Sequence, residues 1–212
     1  MPEVVSGLYP LWESSGFVLA PAQARLGINT TSIGVWRTLQ LGTSPSAFVF
    51  RVPNLWAKVG VYSKDGLHLA LQAGAFGVLA GASKSFLSPQ YASRLNNPDA
   101  LVMVVPVSFA ASWEVTPWLR LHNTVTAMGV FSKKLRSDVT VGDFLTAEFR
   151  AFQRHAVFLH TGEIGFWEHD QNVLGVSYRY NYHWFEVRLG YFYRFSKDGA
   201  QSAPLFDLGL VL

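Results

Sequence analysis

Two carboxylate–guanidinium pairs are spaced in a way that could do chemistry. Glu148 and Arg150 stand two residues apart, as do Glu186 and Arg188. In an extended strand, residues i and i+2 share a face. Each pair would therefore lie on one side of a sheet, where neighbouring strands could interleave them into a ladder. Arg25, Lys58, Arg120, Arg179, Arg194 and Asp207 fall on the same faces, with His68, Gln72 and His122. The balance of this set is positive. It could pack the interior of a barrel as a plug of ion pairs. It could also line a passage in which arginines lower the barrier to anions.

The histidines raise acid–base and metal chemistry. His155, His160, Glu163, Glu168 and His169 crowd one stretch. Covalent catalysis by serine needs a base within hydrogen-bond reach of the hydroxyl. Ser108, Ser112 and Ser177 share the polar faces, but no nucleophile-elbow motif surrounds any of them. His160, Glu163 and His169 do not have a recognised zinc-ligand spacing. The glycines of 74–81 precede no helix, so they form no phosphate loop. With no cysteine in the chain, thiolate metal sites, disulfides and cysteine nucleophiles are excluded. A net charge of +3 without any Lys/Arg block gives no footprint for nucleic acid. The expectation is a protein that is not an enzyme, with no metal, no cofactor and no nucleic-acid partner.

The elements that position these residues repeat with period two. In 173–182, Leu174, Val176, Tyr178, Tyr180 and Tyr182 oppose Gly175, Ser177, Arg179 and Asn181. In 185–195, Phe185, Val187, Leu189, Tyr191, Tyr193 and Phe195 oppose Glu186, Arg188, Gly190, Phe192 and Arg194. As helices, these segments would spread their apolar residues around the whole circumference. The same alternation runs through 23–29, 55–62, 67–74, 105–113, 119–125, 145–151 and 206–212, and more weakly through 156–166. The stretch 44–53 shows no clear period.

Connections alternate in length. Tight turns are expected near 36–38, 64–66, 116–118, 153–155 and 181–184, and longer loops at 83–99, 132–140, 165–172 and 196–204. Short turns on one side and long loops on the other characterise transmembrane barrels. About eleven segments are readable. An even number is usual, so the expectation is an all-β, antiparallel, up-and-down transmembrane β-barrel of 10–12 strands, twelve preferred. The twelfth would come from 4–12. Residues 1–16 are then an N-terminal segment able to add that strand, and 17–212 a single barrel.

Three features put the apolar face outward. The polar faces are rich in Gly, Ser, Ala and Thr, whereas a soluble exterior would carry about 25–35% charged residues. The apolar faces are too bulky to pack inside a small barrel. Trp36, Trp56, Trp113, Trp118, Tyr180, Tyr182 and Trp184 fall at strand ends, the girdle positions at a lipid interface. The run Gly34-Val35-Trp36-Arg37-Thr38-Leu39-Gln40-Leu41-Gly42 resembles the strand–turn–strand of Gram-negative outer-membrane β-barrel proteins. That resemblance is architectural and spans 17–212. Its departure is the ending Val211-Leu212, where such barrels usually finish on an aromatic residue.

The resemblance implies a bacterial outer-membrane location. Residues 1–5 are no signal peptide, so on this reading the natural signal has been removed and Met1 is not the mature start. The partners implied are the lipid bilayer, lipopolysaccharide and other envelope proteins. The expected function is a small channel or transporter with a positively charged lumen. The alternative is a structural or partner-binding barrel, its lumen plugged, within an envelope assembly.

Overall fold

The computed structural model describes residues 15–49, 51–79, 101–132, 138–151, 154–164, 171–196 and 199–212. The alternating segments form β1 (Ala24–Gly27), β2 (Thr31–Gly34), β3 (Leu39–Thr43), β4 (Asn54–Lys64), β5 (Leu67–Leu79) and β6 (Leu101–Thr116). They continue as β7 (Leu119–Ser132), β8 (Asp138–Ala151), β9 (His155–Ile164), β10 (Gln171–Tyr182), β11 (Phe185–Ser196) and β12 (Gly199–Val211). Each strand pairs antiparallel with its sequence neighbours. The sheet closes where β1 meets β12, at Arg25↔Val211, Leu26↔Leu210 and Gly27↔Gly209. The result is a closed barrel of twelve antiparallel strands. Closure pairs the backbone groups that hydrocarbon cannot hydrate.

The pleat sorts side chains as the alternation requires. On β6, Val102, Val104, Ser108, Ala110 and Ser112 are buried within, while Met103, Val107, Phe109 and Trp113 are exposed outside. On β10 and β11, Leu174, Val176, Tyr178, Leu189, Tyr191, Tyr193 and Phe195 face out. A hydrogen-bonded polar pair lies on the outer face. Asn123 and Asp143 have the parity of Leu121 and Leu145, and the Asn123 amide donates to the Asp143 carboxylate at 2.7 Å. Mutual satisfaction lowers the cost of placing them there.

Trp36, Trp113, Trp118, Tyr182 and Trp184 are exposed at the end that carries the tight turns, and half-buried Tyr180 lies beside them. Trp56 is a correction. It was expected in the girdle but is only 5% exposed and points inward. It shares parity with Lys58, and its indole fills the space above Gly42, where a Cβ would come within 2.2 Å of the ring. Tyr62 also departs from the simple period. A bulge between Gly60 and Tyr62 inserts Val61, so both Val61 and Tyr62 are exposed. The tight turn after β4 uses Asp65 and Gly66, both at positive φ (52° and 78°). That is the two-residue arrangement matching strand twist.

The wall is uneven. A strand needs about 9–11 residues to cross hydrocarbon, yet β1, β2 and β3 have four, four and five. These three short strands bring the barrel to twelve. The strand expected from 4–12 lies outside the described residues. Above them, the unreadable 44–53 stretch contains a five-residue helix, α1 (Pro45–Val49), with Phe48 and Val49 exposed. The loop expected at 196–204 is also corrected, since Gly199–Val211 is strand.

Residues 199–206 of β12 pair with β11, but among the described residues no strand pairs with them on the β1 side. Leu212 exchanges backbone hydrogen bonds with Ala24, and the Leu208 carbonyl accepts from Ile28. Even-numbered residues of β12 therefore point toward β1, and Pro204, lacking an N–H, faces that edge. This is where a strand tolerates proline.

Candidate functional site in the barrel lumen

Before entering β1, the chain passes through the barrel. The Lys58 ammonium donates to Ser15 Oγ at 3.4 Å, and the Gly16 amide donates to Ser112 Oγ at 2.7 Å. The Phe17 ring lies 4.3 Å from that of His68 and carries the Arg120 guanidinium at 4.7 Å. The Leu19 amide donates to Gln40 Oε1 at 3.1 Å. Residues 15–19 thus form a strap inside the wall of β3–β7. Glycine is required at 16, because a Cβ would stand 2.1 Å from the His68 carbonyl oxygen.

Beyond the strap, a belt of polar side chains crosses the inner face from β6 to β11. Ser112 Oγ meets His122 Nδ1 at 2.7 Å, and His122 Nε2 meets Glu148 Oε2 at 3.0 Å. The other Glu148 oxygen accepts from Arg179 Nη2 at 2.7 Å. A second series runs beside it: Thr146 Oγ1 to His160 Nδ1, and His160 Nε2 to Ser177 Oγ, each at 2.9 Å. Arg188 donates to Ser177 Oγ at 3.3 Å and, like Arg179, lies over the Phe158 ring.

Two of the remaining arginines, Arg25 and Arg120, are held in ion pairs. Arg25 bridges Glu186 at 2.5 Å and Asp207 at 2.8 Å. Arg120 pairs with Glu114 and stands 4.0 Å from Glu148. Arg194 donates to Gln201, and the half-buried Arg150 lies on β8, two residues from Glu148. Lys58, fully buried, and Gln72 complete the inner face of β4 and β5, while His68 pairs with Ser63 at 2.9 Å. Neighbouring strands interleave with Glu148 and Glu186 as the spacing allowed, and Arg120 lies opposite Glu148 in register. Glu148 and Glu186 reach arginines on other strands.

Several members were missed from sequence. Glu114, Thr146, Gly16 and Phe17 carried no motif, and Ser112 and Ser177 looked ordinary until the register set a histidine beside each.

No family model and no curated protein matches this chain. Among solved structures it is similar to OmpT, an in-vitro folded outer membrane protein of Vibrio cholerae in its trimer form. The identity is 8% and the TM-score 0.46, over 86% of this chain and 64% of that one. The chain therefore spans less than two thirds of the length of that structure. It is also similar to the CymD monoaromatic hydrocarbon channel, at 8% identity and a TM-score of 0.39, over 91% of this chain and 88% of that one.

The closed sheet, apolar exterior and polar interior give the geometry of a transmembrane β-barrel in contact with lipid. The expectation that the chain is no enzyme is corrected. The ground for it was that no nucleophile-elbow motif surrounds an inward serine, whereas the strand register sets Ser112 beside His122 at 2.7 Å without any such motif.

Proposed function

We propose that the protein is a small outer-membrane channel for anionic solutes, narrowed by residues 15–19 lying along its lumen. The sign of the inner face carries this reading. Arg25, Lys58, Arg120, Arg150, Arg179, Arg188 and Arg194 stand against Glu114, Glu148, Glu186 and Asp207. Rings of arginine lower the barrier to anions, and twelve strands enclose more interior than the eight whose side chains fill the space. On this reading the upper outer wall meets lipopolysaccharide.

Planar-bilayer recording tests it. Purified protein should give discrete steps that prefer chloride to potassium. Silence or cation preference would reject the channel. Gly16→Val should raise the unit conductance severalfold, because a side chain at this position collides with the His68 carbonyl and expels the strap. An unchanged conductance would remove the strap from the model.

A second reading, a plugged structural barrel with envelope partners, is favoured by one observation. Arg25, Glu186 and Asp207, and Arg120, Glu148 and Arg179, cross-link the wall in two networks. It predicts that both wild type and Gly16→Val stay silent and that the barrel purifies with a partner.

A further inference from the structure

We propose that Ser112, His122 and Glu148 form a nucleophile–base–acid relay inside the lumen, able to open small carboxylic or phosphoryl esters and covered by residues 15–17. The three side chains come from adjacent strands β6, β7 and β8 and are all buried. Their order is fixed by what each can donate. The Glu148 carboxylate has no proton to give, so at 3.0 Å it accepts from His122 Nε2. The imidazole is then protonated on Nε2, leaving Nδ1 as the acceptor for the Ser112 hydroxyl at 2.7 Å. That is the tautomer a general base needs. Arg179 holds the other carboxylate oxygen at 2.7 Å, so Glu148 does not turn away from the imidazole.

The barrel supplies its own comparison. His160 also touches a serine, Ser177 at 2.9 Å, but its other nitrogen meets the hydroxyl of Thr146 rather than a carboxylate. Arg188 further donates to Ser177 Oγ. Among the described residues Ser63, Ser112 and Ser177 each contact a histidine, and Ser112 is the one whose histidine also meets a carboxylate.

With an ester, Ser112 Oγ would bond to the carbonyl carbon while its proton passes to His122 Nδ1. The C–O bond then breaks and the alcohol leaves with that proton. A water, deprotonated by the same nitrogen, releases the acid and restores the serine. The Gly16 amide now occupies Ser112 Oγ, so a reactant must displace the strap locally. Small substrates are therefore favoured over long chains.

The test uses the full-length barrel folded in detergent and a small fluorophosphonate. Attack forms an Oγ–P bond and releases fluoride, with the hydroxyl proton going to His122. Intact and peptide mass spectrometry should find one adduct, on Ser112. Labelling should vanish in Ser112→Ala and persist in Ser177→Ala. It should slow by about 100-fold or more in His122→Gln, the range for loss of a general base, and speed up in Gly16→Val. Heat-modifiable migration on gels shows which variants are folded. His122→Asn serves as a second base-deleted variant if His122→Gln does not fold. No adduct in either wild type or Gly16→Val, an adduct on Ser177 instead, or labelling indifferent to loss of the imidazole would each overturn the proposal. These outcomes are independent of conductance, so they do not stand or fall with the channel.

Discussion

Glu148→Ala is expected to destabilise the barrel by about 3–5 kcal/mol, the cost of removing one partner from a buried ion pair. The carboxylate is almost fully buried and serves three groups: Arg179 at 2.7 Å, His122 at 3.0 Å and Arg120 at 4.0 Å. Arg120 keeps Glu114, and both arginines retain some contact with solvent, which argues for the lower end of the range. Glu148→Gln keeps a hydrogen-bond acceptor and should lose less. Pairing Glu148→Ala with Arg179→Met should recover part of the loss, because the orphaned charge is removed with its partner. Urea unfolding in lipid vesicles measures all three. If Glu148→Ala unfolds within 1 kcal/mol of wild type, by the scale on which exposed pairs contribute almost nothing, the network is not a structural centre.

Leu189→Arg is the second large effect. Leu189 is 49% exposed on the outer wall of β11, flanked on neighbouring strands by Tyr178 and Phe206. An arginine facing lipid near the midplane costs about 2–4 kcal/mol, so refolding into vesicles should fall sharply. Arg188→Leu, one residue earlier, should still insert. It loses contacts with Ser177 and the Phe158 ring but places no charge in hydrocarbon. The reverse ranking would mean that the two faces had been exchanged.

How far these features are legible in the sequence varies along the chain. In β10 and β11 the alternation is long and uninterrupted, so faces and boundaries can be read directly. In β1–β3 the alternation marks strand at 23–29 but four or five residues hold too few alternations to set the boundaries or to separate β1 from β2. Upper β12 is obscured by Ser202, Ala203 and Pro204, which suit a strand with one open edge. Trp56 misled because tryptophan at a strand end suggests an interface, while its parity with Lys58 already pointed inward.

The lumen site was hidden for a different reason: it exists only across strands. A turn centred on Pro117 places residues equally distant from it opposite each other, and Ser112 and His122 are each five away. That signal was available. Glu148 was harder, since its strand follows a loop whose centre has no turn motif.

The low wall of β1–β3 bears on how the molecule is made. Eleven pairs of sequence-adjacent strands can form as soon as both strands exist, with little chain to bring together. The β1–β12 seam instead joins Arg25 to Val211, across nearly the whole chain, through three residue pairs. The entropic cost of closing so long a loop is about 4–5 kcal/mol by the logarithmic rule, before any stiffness is counted. Three paired positions, the Ala24–Leu212 and Ile28–Leu208 backbone bonds, the contacts of Asn29 with Phe206 and Asp207, and the Arg25–Glu186–Asp207 bridges offset it. On this entropic ground the seam is expected to be the last pairing to form, closing an open ribbon into a cylinder. That same join is the first to part when the cylinder is strained.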